Sequence, residues 1–127
     1  MTIAEYLDSV KERLLTDEIV TAFRITRERA TSTDGYMRAR AALVDGSQLE
    51  FSEYVQLTAD DQVAVITYSY HWSDAQGSLI RRWDNTPHFP DLPNFPHHIH
   101  DGPTDSVSTG QSTNINIVLD EISKRLS

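Results

Sequence analysis

Ile3, Tyr6, Leu7, Val10 and Leu14 recur at the spacing of one helical face, and Thr2 with Glu5 three residues later forms a capping-box pattern. The chain should therefore open with a helix over about residues 3–15. After Thr16-Asp17 the texture becomes alternating and β-branched. Ile19–Arg29 and Tyr36–Val44 read as two strands around the loop Thr31–Gly35, and Asp45-Gly46 turns the chain into a third, Ser47–Leu57. Thr58–Gln62 makes the next turn, Val63–Trp72 the fourth strand, Ser73–Gly77 another turn and Ser78–Asp84 the fifth strand.

From Asn85 the alternation stops, and all five prolines of the chain fall between residues 85 and 103. Proline donates no backbone hydrogen bond and restricts its predecessor, so this segment is expected to be a Pro/His-rich loop and not a central strand. A second loop, Thr104–Asn114, follows. Ile115, Val118, Leu119, Ile122 and Leu126 then mark a closing helix, with Lys124 and Arg125 placed to suit its C-terminal dipole. The expected fold is α+β: a five-stranded antiparallel meander with one face covered by the N-terminal and C-terminal helices, in a single domain over residues 1–127.

Composition narrows the function. Nineteen acidic against 11 basic side chains give a net charge of −8, spread over both halves of the chain, which excludes coating of nucleic acid by a basic tail. With no Cys there is no disulfide, thiolate metal cage or Cys nucleophile. The N-terminus is acidic and amphipathic, and no apolar run approaches a membrane span, so a cytoplasmic protein with no membrane partner is expected.

Three features break the pattern. Glu53 shares an apolar strand face with Leu49, Phe51, Val55 and Leu57, where a carboxylate must be paired, hydrogen-bonded or neutralised. Either it holds an arginine of the neighbouring strand, with Arg38 and Arg40 the nearest candidates, or it belongs to a catalytic centre. Second, Met37, Ala39, Ala41 and Leu43 should face the core while Tyr36, Arg38 and Arg40 face away, and with Arg24, Arg27 and Arg29 they make a basic patch. That patch is a solvated sheet face or a phosphate-facing surface.

Third, residues 68–100 hold all five histidines and both tryptophans. Alternation on the fourth strand sets Ile66, Tyr68, Tyr70 and Trp72 on one face, and Val65, Thr67, Ser69 and His71 on the other. Histidines beside Arg81 or Arg82 could cleave RNA without a metal: one group deprotonates a 2′-hydroxyl, one protonates the leaving oxygen, and a cation sits over the phosphate. Tyr70 or Trp72 could stack a base. A metal reading competes for His97, His98 and His100. Only His98 and His100 share a side of an extended strand, so a chelate needs His88, His71 or an Asp from elsewhere.

Tyr68–Asp74, Gly77–Asn85, Pro87-His88 and Phe95–His100, with Asp45-Gly46-Ser47 and Glu53-Tyr54-Val55 upstream, resemble the TumE family of toxins from toxin–antitoxin modules. These matches run over residues 45–100, with Thr86 and Phe89 standing where the family pattern carries Ala and a second His. The resemblance implies a small prokaryotic toxin whose partner is a cognate antitoxin. Together with the residues, it gives a metal- and cofactor-independent endoribonuclease acting on RNA as the expected function. The site candidates are His71, Arg81, Arg82, His88, His97, His98 and His100; Glu53 and Asp84 would orient an arginine or histidine, and Arg38, Arg40, Tyr70 and Trp72 would contact substrate. The rivals are a non-catalytic binding module of such a pair and a His-ligated metallonuclease.

Overall fold

The Thr2 hydroxyl accepts from the Glu5 amide at 3.1 Å and the Glu5 carboxylate accepts from the Thr2 amide at 2.8 Å, the reciprocal cap that starts helix α1, Ile3–Thr16. In the computed structural model, which describes residues 1–87 and 89–126, seven strands follow: β1 (Val20–Ala30), β2 (Asp34–Leu43), β3 (Gln48–Leu57), β4 (Val63–Ser73), β5 (Leu79–Asp84), β6 (His98–Asp101) and β7 (Ser106–Thr109). Each pairs antiparallel with the next in chain order, and helix α2, Ile115–Leu126, closes the chain. Gly46, at φ 88, adopts the left-handed backbone that the β2–β3 turn needs.

The sheet has two strands more than the alternation predicted. The prolines near β6 flank it instead of interrupting it: Pro96 precedes the strand and Pro103 lies in the turn to β7. The four residues Ser106–Thr109, inside a Ser/Thr-rich stretch, are too few to signal a strand alone, yet they pair with His98–Asp101 once that strand docks on β5. Gly102 makes the docking possible, because a Cβ there would lie 1.7 Å from the Leu79 carbonyl oxygen. Among its described residues, the segment 85–97 contains neither helix nor strand.

Alternation sets one face of the sheet under both helices. Met37, Ala39, Leu49, Phe51, Val55, Tyr70, Trp72 and Trp83 meet Ile3, Leu7, Val10 and Leu14 of α1 and Ile115, Val118, Leu119 and Ile122 of α2 in one core. Removing each of the larger side chains from water stabilises the fold by roughly 1.5–3 kcal/mol. Ile66 departs from its expected place on this face and is 44% exposed, because a register shift opposite Tyr54 and Val55 leaves it bulged. Among the described residues no helix is long and apolar enough to cross a membrane.

Glu53 is buried at 1% exposure, as its apolar neighbours require of it, but its partners are not arginines. Its carboxylate accepts from Tyr6 Oη at 2.5 Å, Tyr70 Oη at 2.6 Å and the Ile115 amide at 2.8 Å, joining α1, β4 and the first turn of α2. Arg38 and Arg40 lie on the other face of the sheet and share Glu50. Burial pushes the Glu53 carboxyl up from its ordinary value of 4.5, against the opposing pull of the three donors. Burial and the same carboxylate push the Tyr6 and Tyr70 hydroxyls up, so both stay protonated donors.

Glu53→Ala orphans three donors at about 1–3 kcal/mol each and should cost several kcal/mol in urea unfolding. The pH dependence has a definite sign. A carboxyl raised in the folded state contributes stability that is full below the unfolded value and lost as pH rises through the folded one. The stability of the native chain relative to Glu53→Gln should therefore fall as pH rises above 4.5. A pH-independent difference between the two unfolding free energies would contradict the raised carboxyl.

Candidate functional site

Directly paired residues of neighbouring strands project on the same side. The register therefore builds two parallel rows on the face that the helices leave open. One row runs Arg40, Glu50, His71, Arg82 and His100 from β2 to β6; the other runs Arg38, Ser52, Ser69, Asp84 and His98. Between them an open cleft of about 360 Å³ is lined by Arg38, Glu50, Ser52, Ser69, His71 and Arg82.

Asp84 is the anchor at the β6 end. It is 2% exposed, as is His98, and its Oδ1 lies 2.8 Å from His98 Nε2 and accepts from the Thr86 amide at 3.1 Å. Its Oδ2 lies 2.9 Å from Arg82 Nε and 3.9 Å from His100 Nε2. The Arg82 contact is off the line of a hydrogen bond and acts as an ion pair. His98 Nδ1 lies 2.9 Å from the Pro96 carbonyl oxygen, which can only accept, so that nitrogen carries a proton. With its Nδ1 held by a carbonyl and its Nε2 against a carboxylate, the His98 ring is fixed at both nitrogens. Phe89, left-handed at φ 57, sets its ring edge-on to both imidazoles, 5.4 Å from His98 and 5.9 Å from His100.

The donor set also suits a metal. Asp84, His98 and His100 offer ligand atoms within 4.8 Å of one another, and two imidazoles with one carboxylate accept zinc, manganese or iron. The Asp required from elsewhere in the sequence is thus Asp84. The Pro96 carbonyl fixes the His98 ring as an outer partner of a ligand would. The Arg82 guanidinium opposes an ion there, since it already neutralises Asp84 Oδ2.

His71 stands over the cleft. Burial lowers its pKa from 6.5, the nearby Arg82 charge lowers it further, and Glu50 pulls it back up. It is therefore a neutral imidazole at neutral pH, able to accept a proton. On the same face, Tyr36 and Tyr54 are paired across β2 and β3 and half-buried.

The structure brings His71, Arg82, Asp84, His98, His100, Arg38 and Arg40 to this face and sends other candidates elsewhere. Arg81 projects to the helix side, 3.7 Å from Asp101, 3.8 Å from Glu121 and 5.9 Å from the Trp83 ring. His97 stacks on Tyr68 on that same side, its Nδ1 2.8 Å from the Tyr68 hydroxyl. Tyr70 and Trp72 are core residues at 0% and 4% exposure, bonded to Glu53 and Ser47, and cannot stack a base. Among the described residues Glu53 bonds Tyr6, Tyr70 and the Ile115 amide, and neither an arginine nor a histidine. His88 lies outside the described residues.

The family model of Toxin TumE matches residues 10–126, nearly the whole chain. The chain belongs to the TumE toxin family. The match reaches past the strings in 45–100 to take in the second half of α1 and all of α2, so both helices contribute to the matched span. A toxin of this family implies a cognate antitoxin as its partner. No curated protein and no solved structure matches the chain significantly.

Asp84→Asn removes the charge facing Arg82 and His98 while keeping the shape. It should destabilise the fold by about 3 kcal/mol, the low end for a broken buried pair, because the partly exposed Arg82 side chain can turn to water. Urea unfolding at neutral pH reads this. In an NMR titration, the His71 ring should show a midpoint below 6.5 that moves up in Arg82→Gln and further down in Glu50→Gln. The stability linked to this depressed histidine is present above 6.5 and lost as pH falls through its folded value.

Proposed function

We propose that this toxin is an endoribonuclease of the cytoplasm whose reaction needs no metal. The observation that carries the reading is the row His71–Arg82–His100, in which a guanidinium is flanked on each neighbouring strand by a histidine. Strands stand about 4.8 Å apart, which sets the two imidazoles on either side of a group the size of a phosphate.

The neutral His71 takes the proton of a ribose 2′-hydroxyl, whose oxygen attacks the adjacent phosphorus. Arg82 neutralises the charge that builds on the non-bridging oxygens. The bond from phosphorus to the 5′-oxygen breaks and His100 delivers a proton to that oxygen, leaving a 2′,3′-cyclic phosphate and a 5′-hydroxyl. Asp84 steadies Arg82 and stands beside His100.

A second reading has one observation in its favour: the Asp84–His98–His100 group would hold a divalent ion in a metallonuclease. One assay separates the two. Purified protein is incubated with a defined single-stranded RNA, with and without a chelator, beside His71→Ala and His100→Ala. The proposal expects cleavage indifferent to chelator, cyclic-phosphate ends, and losses of roughly 10²–10⁴-fold in each variant. Chelator-sensitive cleavage would establish the metallonuclease, and no cleavage under any condition would leave a binding module.

A further inference from the structure

Pairing sets Arg24 against Arg40 and Arg27 against Arg38, two like-charged pairs side by side. Such pairs weaken a sheet unless an anion bridges them. Strict alternation along β1 would put Arg24 on one face and both Arg27 and Arg29 on the other. A register shift between Ile25 and Arg27 prevents this, because it leaves Thr26 bulged, with its hydroxyl donating to the Arg38 carbonyl at 3.1 Å. The phase changes by one residue, and all three arginines of the strand pair with open-face positions of β2. Bulges re-aim side chains in this way at functional surfaces.

The resulting stripe is short of counter-charge. Arg38 and Arg40 share Glu50, and Arg29 bonds Asp34 at 3.0 Å. Arg24 and Arg27 have no ion-pair partner among the described residues, so the five arginines keep an excess of three charges in a chain of net −8. Beside them, on the same face, lie the half-buried rings of Tyr36 and Tyr54.

We infer that this stripe is a track for single-stranded RNA, running across the strands from β1 to the His71 cleft. The inference rests on the ribonuclease reading for what happens at the end of the track. From β1 to Arg82 on β5 is four strand spacings, about 19 Å, long enough for several nucleotides. Paired guanidinium groups match phosphate oxygens, and tyrosine faces stack bases without regard to sequence. An acidic peptide would use the arginines but leave the aromatic platform without a partner.

The test uses the full chain carrying His71→Ala, which holds RNA without turning it over, and fluorescence anisotropy with a labelled single-stranded oligoribonucleotide at several salt concentrations. Arg24→Gln with Arg27→Gln should flatten the slope of log affinity against log salt by about 0.7 per lost phosphate contact, about 1.4 for the pair. Arg125→Gln, on α2 behind the sheet, should leave the slope unchanged. Polyglutamate of matching charge should compete poorly. An unchanged slope in the double variant, with native protein still cleaving RNA, would overturn the track and leave the nuclease standing. Binding with the expected slopes but no cleavage by native protein would support the track and remove the nuclease. Tight polyglutamate binding without RNA binding would overturn the track in favour of an acidic protein partner.

Discussion

Among the described residues Glu53 has no ion-pair partner, yet its carboxylate is where three elements meet. Tyr6 brings α1, Tyr70 brings β4, and the Ile115 amide brings the N-terminus of α2, whose dipole favours negative charge. Apolar contacts alone would let either helix slide over a flat sheet face. Three directed bonds to one buried group do not, since a shift that broke any of them would leave a donor without water or acceptor. Glu53 thus sets where both helices lie, and with them which face of the sheet stays open.

That division decides the chemistry through the two-residue period of a strand. Neighbours in sequence are separated by the thickness of the sheet: Arg82 joins the open rows while Arg81 reaches Asp101 and Glu121, and His98 meets Asp84 while His97 stacks on Tyr68. Residues distant in sequence are joined by the same rule, so that Arg40, Glu50, His71, Arg82 and His100 form one row from five strands. A meander brings each strand beside its successor at little loop cost, which lets a short chain assemble such a row.

Much of this was legible in local pattern. The Thr2–Glu5 cap, the Asp45-Gly46 turn, the inward Met37 and Ala39 against the outward Arg38 and Arg40, and the burial of Glu53 all follow from residues within a few positions of one another. The partners of Glu53 were not legible, because Tyr6 is 47 residues away and its hydroxyl is aimed by helix packing. Tyr70 and Trp72 were candidates for stacking because an aromatic on a strand reads alike whether a helix covers it or not. The bulges at Thr26 and Ile66 have no glycine or proline to mark them, so the phase of β1 and the exposure of Ile66 emerge only from pairing. Strands β6 and β7, four residues each, depend on the edge that β5 presents, and with them the meeting of Asp84 and His98.

Net charge is a poor guide to what this surface can bind. At physiological ionic strength the field of an exposed charge is screened within about 8 Å, less than two strand spacings. The carboxylates behind the sheet and on the helices therefore contribute little at the arginine stripe, where the local excess is positive. They still act at longer range by disfavouring broad, weak adhesion of polyanions elsewhere on the molecule. On the track proposed above, a polyanion would lie along one line that ends at Arg82, beside His71, whose pKa burial lowers. An acidic chain with a phase-corrected basic stripe is in this sense more selective about where a phosphodiester comes to rest than a uniformly basic one.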